Sequence, residues 1–246
     1  MLYIRGKKTL KSVFYFSLLS SFIFSSIDLN AQRREFYMEN HDDKPYYFGI
    51  TLGMNSGRFQ TELHQQFMQQ DSVLVAEPLN SGGFALGLLA TARLTNRFQL
   101  RFNPQLMFAE RRIYYNLRYK EANEDFEVQK NVESILVSFP LQLKFNSDRI
   151  GNFRVYMLGG GKLDYDLASN AQARRADDMI KIQKLDYGIE GGVGFNFYFK
   201  SFIFSPEIKI SNGLNNLHSR DENLKYSSVI DRIQSRMIVF SIHLEG

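Results

Sequence analysis

The feature that most constrains this chain is a two-residue alternation of apolar and polar side chains, which recurs along most of its length. It occurs in eight stretches, whose apolar positions begin at Tyr46, Phe84, Phe98, Ile135, Phe153, Leu185, Phe202 and Ile238. Strict alternation over such lengths is typical of β-strands and not of helices. The sequence therefore predicts an all-β protein with eight strands.

The connections between these predicted strands alternate between long and short. The long ones are 55–81, 112–131, 166–184 and 212–235, and the short ones are 95–97, 146–152 and 200–201. Bacterial outer-membrane barrels have this layout, with short periplasmic turns and longer outer loops. We therefore expect residues 45–246 to form an eight-stranded antiparallel up-and-down transmembrane β-barrel in the outer membrane, with both termini in the periplasm.

The side chains on the two faces of the strands indicate which face points outward. The apolar faces carry many large side chains, a number of them Phe, and the interior of an eight-stranded barrel is too narrow to hold them. A soluble barrel with an apolar interior is the alternative. The opposite faces carry glycines and mixed charges, and because an unpaired buried charge is costly, we expect these charges to pair. The predicted lumen network comprises Arg101, Lys144, Glu190, Glu207 and Lys209.

Aromatic residues cluster beside the predicted periplasmic ends of the strands. Interfacial aromatic girdles flank the apolar band of outer-membrane barrels, so this clustering supports a lipid-facing exterior independently of the alternation. The residues are Tyr46, Phe48, Phe98, Phe145, Phe153, Phe197, Phe199, Phe202 and Phe204.

The N-terminus has the layout of a secretory signal peptide. A basic segment, 1–11, precedes an apolar one, 12–27, and Ala31 offers a small residue for cleavage. The apolar segment contains several serines and is shorter than the roughly 20 residues that a spanning helix needs. We therefore expect residues 1–31 to be a signal peptide and 32–44 a short periplasmic leader.

Composition and the scarcity of chemically active residues exclude several functions. With 44% hydrophobic residues the chain is not disordered, and with no Cys it has no disulfides, thiol nucleophile or Cys-ligated zinc. Its formal charge is only +4, so no nucleic-acid partner is expected. His41-Asp42-Asp43 suits a polar leader better than a metal site. The segment 218–221 (HSRD) contains the residue types of a hydrolytic triad, but adjacent residues rarely adopt that geometry, so we expect a solvated loop. No catalytic residue, metal, cofactor or small-molecule substrate is predicted.

The stretch from Tyr156 to Leu217 resembles the PorT family of outer-membrane proteins. The most specific matches are 165–169 (YDLAS), 177–181 (DDMIK) and 204–209 (FSPEIK), the last followed by 211–213 (SNG). The resemblance implies an eight-stranded barrel of Bacteroidetes-type bacteria that is required for the type IX secretion system and, in gliding species, for motility. It implies no catalytic residues.

These observations favour a non-enzymatic barrel that contacts outer-membrane lipid and other secretion-system proteins. The alternatives are a generic passive or adhesive barrel and a barrel hydrolase. Recognition residues concentrate on loops of rigid scaffolds, and the candidate docking residues are Arg174, Arg175, Asp177, Asp178, Ser211 and Asn212. The apolar residues at 179, 180 and 182 suit either a docking surface or packing onto the barrel rim.

Overall fold

The computed structural model describes residues 35–64, 73–119, 126–168, 182–219 and 229–246. The expected signal peptide and the four charged docking candidates, Arg174, Arg175, Asp177 and Asp178, lie outside the described residues. No helix in the described ranges is long and apolar enough to cross a membrane.

The described chain contains a short 3-10 helix, Glu39–Asp43, followed by ten β-strands. The strands are β1 (Tyr46–Leu63), β2 (Val73–Leu79), β3 (Ser81–Arg93), β4 (Phe98–Phe102), β5 (Gln105–Leu117), β6 (Glu127–Asn146), β7 (Phe153–Asp166), β8 (Leu185–Tyr198), β9 (Ile203–Gly213) and β10 (Ile230–Glu245). Only Asn80 separates β2 from β3, and only Asn103-Pro104 separates β4 from β5. These two pairs each act as one wall strand, so the ten segments form an eight-stranded wall.

The wall closes on itself because β1 pairs with both β3 and β10. Ile50, for example, lies opposite Leu88 on β3 and Leu244 on β10. All pairings are antiparallel and, apart from the closing pair of β1 with β10, join neighbours in chain order once the two interrupted strands are merged. The predicted fold, an eight-stranded antiparallel up-and-down β-barrel, is confirmed.

Pro104 lies at the interruption between β4 and β5. Proline has no backbone N–H to donate to the ladder, so the strand breaks locally. The Pro104 carbonyl still accepts a hydrogen bond from the Leu88 amide at 3.0 Å, which keeps β3 attached across the break.

Several strands extend further than the sequence predicts, and all of them do so at one end of the barrel. We call this the loop end, and the opposite end, with the connections 94–97, 147–152 and 199–202, the turn end. β1 reaches Leu63, β5 reaches Leu117, β6 begins at Glu127 and β10 begins at Ile230, while β2 lies wholly within a predicted connection. The predicted connections 55–81, 112–131 and 212–235 are therefore too long.

The cause of this error is a reversal of the alternation. In the extensions the large apolar side chains, such as Phe59 and Ile113, point inward, and polar ones, such as Arg58 and Glu110, point outward. Nearer the turn end the apolar row is on the outside. A search for one continuous apolar row therefore stops where the phase changes.

The outward apolar rows define a band around the barrel. On β1 the row runs from Tyr46 to Met54, and it is followed by Ser56 and Arg58. Such rows span about ten residues per strand, the length of a tilted transmembrane β-strand. Met54 and Leu88 are each 65% exposed, as lipid-facing side chains would be in the absence of lipid.

Aromatic rings meet one another along the turn-end border of this band. Phe98 contacts Phe145 with ring centroids 5.1 Å apart, and Phe153 contacts Phe197 at 5.2 Å. Phe199 and Phe202 stack at 5.0 Å beside them. This arrangement is that of an interfacial girdle.

Candidate functional site

All five residues of the predicted lumen network are buried on inward-facing positions of the wall strands. Arg101 is on β4, Lys144 on β6, Glu190 on β8, and Glu207 and Lys209 on β9. The structure brings them together in two groups, one nearer the turn end and one nearer the middle of the wall.

The first group centres on Arg101, which bridges two carboxylates. Its Nη1 lies 2.7 Å from Glu207 Oε2 and its Nη2 lies 3.0 Å from Glu245 Oε1. Lys144 Nζ is 3.9 Å from the same Glu245 oxygen. The side chains of all four residues are fully buried, so this cluster places two basic against two acidic side chains away from bulk solvent. Glu245, the last strand residue before the C-terminus, was not among the predicted members.

Tyr156 completes this group from β7. Its hydroxyl donates to Glu207 Oε2 at 2.8 Å, and its ring lies 3.9 Å from Lys144 Nζ. The ring extends over Gly194 on β8, where any Cβ would overlap it. Glycine at this position is what allows a large aromatic side chain to cross so narrow an interior.

The second group joins β6, β8 and β9. Lys209 Nζ lies 3.3 Å from Glu190 Oε2, and Gln142 Nε2 donates to Glu190 Oε1. Further toward the loop end, Lys162 pairs with Asp164, and Arg111 Nη2 lies 4.0 Å from Asp166 Oδ2. Charged side chains are thus stacked in layers along the interior.

A small cavity lies among the last of these charged layers. Its lining includes Arg111, Asp164, Asp166 and Asp186, and its volume is about 10 Å³, enough for about one water molecule. Among the described residues, no group of three or more His, Asp or Glu side chains is arranged to hold a metal ion.

A hydroxyl–imidazole–carboxylate chain also lies inside the barrel. Thr51 Oγ1 is 2.8 Å from His243 Nδ1, and His243 Nε2 is 3.3 Å from Glu207 Oε2. These are the residue types and the order of contacts of a hydrolytic triad, contributed by three different strands, so no sequence motif could indicate them. All three side chains are buried, with at most 1% of their surface exposed. No substrate can reach the hydroxyl, and its hydrogen bond with Nδ1 satisfies two buried polar atoms.

The 3-10 helix of the leader closes the turn end. Asp42 receives three guanidinium groups, from Arg149 and Arg154 at 3.1 Å each and from Arg93 at 3.9 Å. The imidazole of His41 is buried against the ring of Tyr47, with centroids 4.5 Å apart. The carboxylate of Asp42, in the segment His41-Asp42-Asp43 that was weighed as a metal site, therefore pairs with arginines.

Backbone contacts hold the same leader in place. The Tyr37 amide donates to Asn152 Oδ1 at 2.9 Å, and Arg93 donates to the His41 carbonyl at 3.2 Å. Burial lowers the pKa of His41 from 6.5 to about 4, despite the opposing influence of Glu245 and Asp42. His41 is therefore neutral at neutral pH and needs no counter-charge.

An apolar cluster closes the loop end from within. Its members come from β1, β2, β5 and β10 and from the connecting segments, and they are Phe59, Val73, Ala76, Ile113, Tyr115, Leu117, Ile182, Leu217, Val229, Ile230 and Ile233. The Leu217 amide bonds to the Ile233 carbonyl and the Gln183 amide to the Leu217 carbonyl, both at 2.8 Å. These bonds hold the segments that contribute Ile182 and Leu217 over the mouth of the barrel.

The structure places four residues of this region that were interpreted from the sequence. His218, expected in a solvated loop, is only 4% exposed. Ile182 packs into the apolar cluster, so of the two interpretations of the apolar residues near it, packing onto the rim applies to this one. Ser211 lies within β9 and faces the interior, buried, so it cannot touch a partner, while Asn212 is partly exposed on the outer face.

Residues 30–219 match the model of a family described as an outer membrane protein beta-barrel domain. The chain belongs to this family. No curated protein sequence matches it.

Several solved structures are similar to this outer-membrane barrel, among them that of an outer membrane protein. OprG from Pseudomonas aeruginosa is 13% identical, with 80% of this chain and 94% of that one covered and a TM-score of 0.42. Neisserial surface protein A is 10% identical, with 80% and 95% covered and a TM-score of 0.41. Ail, the attachment invasion locus protein of Yersinia pestis, is 12% identical, with 82% and 100% covered and a TM-score of 0.38.

The geometry of this outer-membrane barrel decides what its interior can do. Charged layers fill the middle, the leader covers one end and an apolar cluster fills the other. The outer surface contacts membrane lipid. In the part of the chain that the structure describes, the surface that remains for other molecules is the polar rim at each end.

Proposed function

We propose that this outer-membrane barrel is not an enzyme and acts through protein contacts at its loop end, as an accessory component of the type IX secretion system. The observation that supports action by contact is the filled interior, in which Arg101 and its partners are fully buried between two covered ends. An eight-stranded barrel leaves little room for a conduit in any case.

The secretion role rests on the sequence resemblance to the PorT family, which is strongest around 165–169, 177–181 and 204–213. The described residues on either side of the loop between β7 and β8 are attached to the barrel. Leu167 donates its amide to the Ile135 carbonyl at 2.8 Å, and Ile182 is anchored in the apolar cluster. Both ends of the segment that carries Arg174, Arg175, Asp177 and Asp178 are thus fixed to the barrel.

The test replaces those four charged residues by Ser in the chromosomal copy of the gene. The expected result is a folded, heat-modifiable barrel in the outer membrane with a defect in protein secretion that matches gene deletion in kind. The control replaces Glu62 and Arg232, an exposed ion pair of 3.9 Å on the loop-end wall, and should leave secretion normal.

Each outcome decides between functions. Normal secretion in the loop variant, with a defect in the deletion strain, contradicts docking through this loop. Normal secretion in the deletion strain contradicts the secretion role and favours a passive or adhesive barrel. Loss of the folded barrel in the loop variant assigns the segment a structural role.

We also propose that the loop end faces the exterior and both termini face the periplasm. Because the chain has no cysteine, single cysteines report position without background. Cysteines at exposed Asn80 and Glu127 should react with an impermeant maleimide on intact cells, whereas those at exposed Asn96 and Ser201 should react only after the outer membrane is opened. The opposite pattern inverts the orientation.

A further inference from the structure

Two arginines face each other on the outside of the barrel where β1 and β10 close the wall. Arg58 lies directly opposite Arg236 in the register of the pair, and both side chains are exposed. They are the first charged outward positions beyond the apolar band, since Met54 and Ser56 precede Arg58 on β1 and Ile238 follows Arg236 on β10.

Like charges directly opposite on neighbouring strands destabilise a sheet, and nothing nearby in the described chain offsets this pair. Gln60 faces Gln234 at the next outward level, and Asn212 on β9 faces Arg236 from the other side. The closest acidic residue along β1, Glu62, lies 3.9 Å from Arg232 instead. Among the described residues, these two guanidinium groups have amides and hydroxyls around them but no carboxylate at their level.

We propose that Arg58 and Arg236 bind the phosphate of an outer-leaflet lipid. The inference rests on the proposed orientation, with the loop end outside. At the border of the apolar band a side chain meets lipid headgroups, and a planar guanidinium binds phosphate through two parallel hydrogen bonds. One phosphate between two arginines replaces their repulsion by two favourable charge pairs.

The neighbouring side chains suit the same ligand. Asn212, in register with Arg236, and Gln60, two residues beyond Arg58 on β1, are uncharged hydrogen-bond donors. No described residue at the level of the two arginines carries a negative charge that would compete for them. Free inorganic phosphate has the same chemistry, but the position beside the lipid-facing Ile238, which is 48% exposed, favours a phosphate attached to acyl chains.

The experiment uses the purified mature barrel in neutral detergent micelles. Bis-phosphorylated lipid A, dephosphorylated lipid A and inorganic phosphate are titrated separately, and the thermal unfolding midpoint and the lipid retained in native mass spectra are measured. The wild-type barrel should retain bis-phosphorylated lipid A and unfold at a higher temperature with it, and neither other probe should have this effect at equal concentration.

The test variant is R58Q/R236Q, and the matched control is R97Q/K200Q, which removes the same charge from exposed positions at the turn end. We expect the test variant to bind lipid A at least tenfold more weakly, since a charge-assisted hydrogen bond contributes enough for about a tenfold change in affinity. The control should bind like the wild type. R58K/R236K, which keeps the charge but loses bidentate geometry, should bind with intermediate affinity and serves if the Gln variant does not fold.

The stability of the test variant without lipid provides a second measurement. Without lipid, R58Q/R236Q should be at least as stable as the wild type, because the substitution removes like-charge repulsion.

Unchanged lipid A binding by the test variant, equal loss in the control, or equal binding of dephosphorylated lipid A would overturn the proposal. An equal response to inorganic phosphate would overturn the assignment to a lipid. The micelle assay does not depend on orientation or secretion, so its failure is distinguishable from failure of the maleimide and secretion tests.

Discussion

Replacing Arg101 by Met is the most direct test of the buried charge cluster. The substitution removes the guanidinium that lies 2.7 Å from Glu207 and 3.0 Å from Glu245, and it preserves most of the side-chain volume. Both carboxylates then remain inside the barrel with their main partner gone. Breaking a buried ion pair by removing one member costs about 3–5 kcal/mol, and we expect a loss in that range because Lys144 and His243 still offer partial compensation.

A second arginine in the same barrel provides a matched control. Arg97 pairs with Asp148 at 3.1 Å, but its side chain is 58% exposed and that of Asp148 is 81% exposed. Exposed pairs contribute about 0–1 kcal/mol, so Arg97→Met should be nearly neutral. We therefore expect the two substitutions to differ several-fold in their cost, because the ion pairs of Arg101 are buried and that of Arg97 is exposed.

The measurement is urea unfolding of the refolded barrel in detergent, together with the temperature at which the folded band disappears on unheated gels. A loss of 3–5 kcal/mol corresponds to a midpoint roughly 6–20 °C lower for a chain of this size. Arg101→Met combined with Glu207→Gln should recover most of the loss, because it removes the carboxylate that lost its partner and leaves Glu245 opposite Lys144. Equal stability of Arg101→Met and Arg97→Met, or no recovery in the double variant, would refute the reasoning.

Three further predictions follow from other parts of the barrel. Since the pKa of His41 is lowered to about 4 in the folded state, its contribution to stability is complete above pH 6.5 and is lost as pH falls toward 4; the protection of the amides of residues 37–44 against hydrogen exchange, corrected for the intrinsic rate at each pH, should fall over that window, and His41→Phe should suppress the change. Gly160→Ala should destabilise by about 1–3 kcal/mol, because its Cβ would overlap the Leu141 carbonyl, whereas Gly159→Ala, with 3.9 Å to the nearest atom, should be nearly neutral in the same urea assay. Ile113→Ala should cost about 2–5 kcal/mol through a cavity in the loop-end cluster, and an unchanged urea midpoint would contradict the packing of that cluster.

The membrane-embedded half of the barrel could be predicted from sequence because one physical rule governs it. Lipid outside and a narrow interior force large apolar side chains outward, and the rows that begin at Tyr46 and Ile238 show this without interruption. Charges on the opposite face of the same strands, such as Arg101 and Glu207, then had to lie inside, and the structure places them 2.7 Å apart.

Elsewhere the rule fails for identifiable reasons. Beyond the band, water replaces lipid and apolar residues such as Ile113 turn inward, so the extensions read as loops. Tyr156 departs from the alternation on β7, because it places a large ring on the inner face, where Gly194 on the next strand accommodates it. His243 and Thr51 belong to different strands, and their contact depends on register that alternation does not encode.

The lipid-facing band and the extensions beyond it are stabilised in different ways. Within the band the hydrophobic effect cannot drive the packing of the interior, because the large apolar side chains face lipid. The wall is stabilised there by backbone hydrogen bonds between strands and by charge pairs such as Lys209 with Glu190. Beyond the band, toward the loop end, the outside of the wall faces water. Burial of Phe59 and Ile233 in the apolar cluster there removes apolar surface from water, as in a soluble domain. The loop end therefore has an apolar core of its own, in addition to the charged layers within the band.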